Sequence, residues 1–452
     1  MAAVRADGVG SVGAGPANGD STPPGAVTLR GLILTAFLPV TLFEIGNGAI
    51  SPVLALTALH LGASPGRAAF TLSMLGVGQV VGDIPAAALA ARLGERRAMI
   101  LGAVVALCAQ IACVFAGDVL VLDAAVLCIG MATAVFSLSR QAYVMESVPL
   151  GLRARAMSSL GGSHRIGLFA GPFLGALMIT LIGIRGAFWV AVVASAATTA
   201  VLLAVPDVPA NRTTARRDRD SVGVREVWRE HWRLFVTLGN ALILIGAIRA
   251  ARQTVLPLWA AHIGLSAQHT SLIFGIASAV DISLFYPAGK WMDRAGRLAV
   301  SVPSMLILGG SMMALPLTRD VAWFVLVAVL MSAGNGLGSG LVLTLGADVA
   351  PYRGRLRFLS MWRVMGDSGN ALGPIVVSAV AALYSLASGI IVVGVFGPLS
   401  ALGLLVYSPR YSPYATYKGA RLARGNAGEP PAAAEPNDGV AVIDERAGRR
   451  KP

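Results

Sequence analysis

His60-Leu-Gly-Ala-Ser64 returns as His262-Ile-Gly-Leu-Ser266, 202 residues further along a chain of 452. The same shift carries Arg92 and Gly94 onto Arg294 and Gly296, and Glu146 onto Asp348. It also carries Pro149, Arg153, Arg155 and Ser158 onto Pro351, Arg355, Arg357 and Ser360. Gly167, Gly171 and Pro172 land on Gly369, Gly373 and Pro374. One ungapped shift that matches several separate stretches marks an internal duplication, and a repeat decides the architecture before any single element does. The chain is predicted to be two homologous halves.

Composition names the solvent. The chain is 55% hydrophobic and 13% charged, with a mean hydropathy of +0.71, whereas soluble domains carry about 25% charged residues. These halves are built for a bilayer. The first 25 residues are dominated by Gly, Ala, Ser and Pro without a continuous apolar core, so they read as a flexible tail and not a cleavable signal. Cys108, Cys113 and Cys128 all fall inside apolar runs, which argues for packing rather than for disulfides or a zinc site. No metal is expected.

A hydrocarbon core of about 30 Å needs about 20 apolar residues per helix. Twelve such spans are predicted, at 31 to 58, 67 to 90, 98 to 116, 119 to 143, 157 to 181, 187 to 205, 234 to 258, 268 to 289, 298 to 317, 321 to 347, 358 to 383 and 387 to 407. The fold class is therefore all-α integral membrane. Between spans six and seven, Pro206 to Arg233 holds seven arginines and five acids. This polar stretch divides two six-helix bundles, 30–205 and 234–407, with tails 1–29 and 408–452 expected to be disordered.

Basic residues crowd one side of the predicted bundle. Arg92, Arg96, Arg97, Arg153, Arg155, the 206–233 linker, Lys290, Arg294, Arg297, Arg353, Arg355 and Arg357 lie there, against Arg67, Arg185 and Arg319 on the other. Basic loops are retained in the cytoplasm, so both termini and the linker are placed there, in a plasma-membrane protein. The formal charge of +13 then needs no nucleic-acid partner. Within the linker, VREVWREHWR (Val224 to Arg233) spaces Val224, Trp228 and Trp232 four apart, which predicts a short helix in the inner interface; an inert solvated linker is the alternative.

Two stretches carry a family resemblance. GKWMDRAGR, Gly289 to Arg297, resembles the cytoplasmic signature of the major facilitator superfamily, and GLFAGPFLGA, Gly167 to Ala176, is similar to the Gly-Pro motif in the fifth helix of its antiporters. Gly167, Gly171, Pro172 and Gly175 carry that second match; small residues also simply allow close packing. The first-half counterpart, AALAARLGERR (Ala87 to Arg97), has Ala87 and Ala91 where the signature has Gly and Asp. The resemblance covers about residues 30 to 407. It implies twelve helices in two pseudo-symmetric halves, with spans one, four, seven and ten lining a central cavity. It also implies alternating access in a protein that functions as a monomer.

Helix-dipole physics gives the signature a task. Asp293 is expected against the amino end of the fifth helix near Ser158, with Arg294 or Arg297 paired to Asp348 and Arg92 or Arg96 paired to Glu146. Such contacts would clasp the cytoplasmic side of an outward-open state, weakly in the first half because Ala91 lacks a carboxylate. The bland alternative is that these loops only obey the positive-inside rule.

Ionisable residues at membrane depth are costly and face a cavity or a partner. Glu44, in PVTLFEIGNGAISPV (Pro39 to Val53), stands near the middle of span one with Asn47 on the same face, and Arg249 and Arg252 lie in span seven. Glu44 and Arg249 are expected to face one another across the cavity. Asp83, Asp281 and Asp367 occupy spans two, eight and eleven, while Arg140, His164 and Arg165 occupy spans four and five. The resemblance sets helix two beside eleven and five beside eight, which pairs Asp83 with Arg363 and Asp281 with Arg165 between the halves. Static ion pairing is the alternative for each, and for Glu44 so is docking of a cationic substrate.

GNGLGSG, Gly334 to Gly340, reads either as a bend lining the cavity or as a packing surface. A GxGxxG match at Gly8 to Gly13 follows no strand and opens no helix, so the dinucleotide reading fails. With no GxSxG, HExxH or GxxxxGK[ST] motif, hydrolase, metalloprotease and ATP-driven pump lack support. No enzyme and no cofactor is expected. The reading is a proton-coupled efflux transporter for a small, amphipathic, drug-like solute, its partners being that solute, protons and lipid. Solute uptake by a proton symporter or facilitator, or a non-transporting receptor or scaffold, are the alternatives.

Overall fold

The computed structural model describes residues 33–148, 153–205, 223–351, 354–412, 414–417 and 419. The expected tail 1–29, most of the linker (206–222), residues 420–452 and the side chains of Glu146, Arg153 and Arg155 lie outside the described residues. The start of the tail expected to be disordered at 408–452 is instead ordered, because the last helix runs on to Tyr411 and Tyr414 and Ala415 accept backbone hydrogen bonds from Arg297 and Leu298.

The first six helices are α1 (Ile33–His60), α2 (Pro65–Leu93), α3 (Glu95–Val114), α4 (Val119–Ser147), α5 (Arg153–Ile182) and α6 (Arg185–Ala204). The second six are α7 (Arg225–His262), α8 (Ala267–Ala295), α9 (Leu298–Leu317), α10 (Val321–Val349), α11 (Arg355–Leu383) and α12 (Leu386–Tyr411). Eleven of them are long and apolar enough to cross a membrane among the described residues. The twelfth, α11, is as long as α2 at 29 residues but carries Arg355, Arg357, Arg363 and Asp367. Short loops force neighbours to run antiparallel, so odd-numbered helices leave the side that carries the 206–222 linker and even-numbered ones return to it.

The repeat is written into the backbone. Ser64 caps α2 at φ −66, ψ 160 and Ser266 caps α8 at φ −69, ψ 157. Asp118 caps α4 at ψ 167 and Asp320 caps α10 at ψ 164, each carboxylate accepting from backbone N–H groups of the first turn. Gly94 and Gly296 end α2 and α8 with φ of 85 and 92, a conformation that a Cβ would strain.

Without a hydrophobic drive inside lipid, helices associate through close packing of small residues. A Cβ at Gly167 would stand 2.6 Å from Glu44 Cβ, and one at Gly171 would stand 2.5 Å from Ile45 O. The Gly-Pro segment of α5 is thus pressed against α1, and Gly369 and Gly373 seat α11 on Ile243 and Ala247 of α7 in the same way. Phe43 of α1 stacks on Phe136 of α4 at 4.1 Å, filling the core of the first half. Between halves, Gly76 of α2 meets Ala371 of α11 and Gly275 of α8 meets the ring of Phe173 on α5.

The linker helix departs from expectation. Val224–Leu234 forms, kinked at His231 (φ −112, ψ 16), and continues through a π turn at Phe235–Gly239 into the rest of α7. No Gly or Pro interrupts Val224 to Leu238, and Trp228 stacks on Phe235 at 5.3 Å across the junction. Val227 and Leu234 are buried, while Trp228 and Trp232 are exposed. The glycine cluster of α10 does both things foreseen: Gly334 and Gly336 meet the backbones of Leu308 and Asp281, and the helix breaks into a turn at Gly338 to Gly340.

Candidate functional site

A cavity of about 700 Å³ lies between the halves, with a second lobe of about 340 Å³ opening from it. The larger lobe is walled by α1, α2, α4, α5, α7, α10 and α11, and reaches Ala347 and Leu359 near the linker-side ends of α10 and α11. The far side is shut. Ser378 Oγ of α11 donates to Gly66 O of α2 at 2.7 Å, and Ser51 Oγ of α1 donates to Gln253 Oε1 of α7 at 3.4 Å. The smaller lobe sits deeper, under Ser51 and Gln253, among Arg165, Arg249, Arg252, Asp281, Asn335 and Ser339.

Glu44 and Arg249 line the same lobe, as expected, but they are not paired. Glu44 is 2% exposed. Its Oε1 accepts from Arg140 at 2.9 Å and stands 2.8 Å from His164 Nδ1, while Asn47 Nδ2 donates to Oε2 at 3.2 Å. The close approach of α5 at Gly167 brings His164 there, so the carboxylate is satisfied inside the first half. Arg249 turns the other way, donating to Asn335 Oδ1 at 2.8 Å, to Asn335 O at 3.0 Å and to Ser339 Oγ at 3.3 Å.

The two expected ties between halves are present. Arg165 of α5 donates to Asp281 Oδ1 of α8 at 3.2 Å, its guanidinium lying 4.0 Å over Phe285. Asp281 also accepts from Asn335 and, at 3.3 Å, from Ser339, with Arg252 at 3.7 Å. Arg363 of α11 stands 3.7 Å from Asp83 of α2, and 3.4 Å from Asp367 one turn along its own helix. Asn335, Ser339, Gln253 and Trp362 were not foreseen. Neutral polar side chains leave no cost signature in a sequence, although Asn335 and Ser339 both lie in the GNGLGSG cluster.

On the linker side, Arg297 binds Asp348 at 2.9 and 3.4 Å and Asp293 at 2.9 Å. Burial opposes the Arg297 charge, but hydrogen bonds to Asp348 and Asp293 outweigh it and raise its pKa. The chain beyond α12 closes over this pair: Arg297 N and Leu298 N donate to Tyr414 O and Ala415 O at 3.1 and 3.0 Å, and Ser412 Oγ reaches Asp348 at 3.3 Å. Asp293 itself is 74% exposed. It faces solvent and Arg297 instead of the amino end of α5, because the halves stand apart on this side. Arg96 also caps α6 through Leu202 O and Val205 O, while its expected partner Glu146 has a side chain outside the described residues; Arg92 and Arg294 are exposed.

A family model described as Major Facilitator Superfamily matches residues 36–374 and 253–436. The chain belongs to the major facilitator superfamily. It is a multi-pass membrane transporter and not an enzyme. Among curated proteins, "Multidrug resistance protein MdtH" of Shigella boydii serotype 4 (strain Sb227) is 25% identical over 249 residues, 54% of this chain and 60% of that relative. A POT family transporter solved with a thioalcohol-conjugated peptide superposes with a TM-score of 0.69 at 17% identity, over 84% of this chain and 96% of its own. A bacterial homologue of the human lysosomal transporter Spinster, solved inward-facing and unoccupied, gives 0.67 at 14%, over 87% and 96%. In this superfamily member the cavity, the shut far side and the ties between halves all lie where the two six-helix halves meet.

Proposed function

We propose that the protein exports a small amphipathic organic solute in exchange for protons, by alternating access, from the cell membrane with both termini in the cytoplasm. The observation that carries the proton coupling is Arg363, shared between Asp83 of the opposite half at 3.7 Å and Asp367 of its own helix at 3.4 Å. Two carboxylates on one guanidinium leave a negative charge in excess, and because the tie crosses between the halves, rocking them changes the separation of Arg363 from Asp83. A change in that separation changes how strongly Asp83 holds a proton, and that dependence on the position of the halves is what coupling requires. Glu44 lacks this lever, since Arg140, His164 and Asn47 all move with it. Export is supported by the Gly-Pro motif of α5 and by the name of the multidrug relative; orientation is supported by the Lys and Arg asymmetry of the loops.

Purified protein in liposomes with an imposed pH gradient tests this reading. The solute is expected to move against the proton flow, and Asp83→Asn is expected to abolish gradient-driven movement while solute exchange continues. Gradient-driven transport at full rate in both Asp83→Asn and Asp367→Asn would overturn the coupling, and solute movement along with protons would make the protein a symporter.

A further inference from the structure

The deeper lobe is lined by three arginines, Arg165, Arg249 and Arg252, and by a single carboxylate, Asp281. Asp281 is already fully engaged, Oδ1 by Arg165 and Ser339, and Oδ2 by Asn335 and Arg252. Arg249 has only neutral acceptors, the side-chain and backbone oxygens of Asn335 and the Ser339 hydroxyl. Arg252 is 5% exposed, donates to Ser332 Oγ at 2.9 Å, and its Nε–H has no partner. A buried cation without a matching anion is costly. Positive charge is in excess here, in a lobe that opens into the main cavity.

We propose that this lobe receives the anionic head of the transported solute, a carboxylate or comparable oxyanion, while the larger lobe holds its apolar body. Guanidinium groups present paired N–H donors that match a planar oxyanion, and Arg249 and Arg252 stand one turn apart on α7. The larger lobe offers Leu242, Val342, Leu343, Leu359 and Trp362 for the body. A cationic solute finds no comparable site, since Glu44 is taken by Arg140 and His164 and the Asp83–Asp367 pair by Arg363. This assignment rests on the cavity being the substrate site; it does not depend on protons or on direction.

Equilibrium binding to the purified full-length protein tests it, using naphthoate, its neutral amide and naphthylmethylammonium, which share one aromatic body and differ in charge. Naphthoate is expected to bind about 10-fold more tightly than the amide, and both Arg249→Gln and Arg252→Gln to lower its affinity by about 10-fold. Tighter binding of the ammonium probe, or unchanged naphthoate affinity in the folded variants, would overturn the proposal. Should either variant fail to fold, the order of the three probes on the unaltered protein decides by itself. Sulfate binding as tightly as naphthoate would overturn the two-lobe assignment. No transport is read here, so this binding test can fail while the liposome test of coupling succeeds, and the reverse.

Discussion

Ser51 and Gln253 occupy the same position in the two copies of the repeat, 202 residues apart, and Ser51 Oγ donates to Gln253 Oε1 at 3.4 Å. Residues equivalent under a two-fold relation meet where its axis passes, so the axis runs between α1 and α7 at this depth. The far-side closure is therefore built on the symmetry element itself.

Locking that contact should arrest the cycle. With Cys108, Cys113 and Cys128 replaced by Ala, the pair Ser51→Cys and Gln253→Cys is expected to cross-link on oxidation and to stop transport until reduced. Mass spectrometry of the joined peptides and liposome transport read the two events. Undiminished transport by the cross-linked form would mean that the halves do not part here.

Glu44 should act first on stability. Glu44→Gln leaves Arg140 buried without its carboxylate, a loss of about 3 kcal/mol, and should lower the thermal midpoint clearly. The double change Glu44→Met with Arg140→Met is expected to recover most of it, because removing both charges removes the desolvation problem. A double variant no more stable than Glu44→Gln would point to a role for the pair beyond mutual neutralisation.

The glycines of α5 give a graded test on one helix. Gly171→Val would force the side chain into Ile45 O and the backbone of Ala49, at a cost of about 3 kcal/mol or loss of folded protein. Gly161→Ala meets nothing within 4 Å and should be neutral or slightly stabilising. Thermal unfolding in detergent reads both, and equal effects would refute packing as the function of the motif.

Asp348 and Asp293 should separate sharply in the conformation described here. Asp348→Asn weakens the buried pair with Arg297 and its bond from Ser412, and is expected to cost about 2 kcal/mol. Asp293→Asn removes only a solvent-facing partner and should leave this state unchanged, while depopulating the state in which the linker side closes. Distances between spin labels on the linker-side ends of α5 and α8 report those populations; identical responses of the two variants would argue against the distinction.

The helices were legible because twenty-residue apolar runs and the repeat reinforce one another, down to the paired caps at Ser64 and Ser266. The ties Asp83 to Arg363 and Asp281 to Arg165 were legible because charges at that depth are scarce and the family resemblance set helix two beside eleven and five beside eight. The partner of Glu44 was not. Arg140 lies 96 residues away on α4, and choosing it over Arg249 depends on the rotation of α4 and on how far Gly167 lets α5 approach. Span boundaries also concealed the continuity of Val224–Leu234 with α7, since a polar amphipathic turn and an apolar span look like separate objects when only hydropathy is compared.

The faithful caps and glycines have a counterpart in what the repeat did not keep. Glu44 corresponds to Gly246, Arg140 to Val342, His164 to Gly366, Arg249 to Asn47, Arg252 to Ile50 and Asp281 to Gln79. After a gene duplication, mutations that impair closure are exposed in either copy, whereas a cavity position in one copy is free to drift from its twin. Such a chain is divided in a particular way: the two halves keep the same caps and packing glycines while each carries its own set of side chains into the cavity.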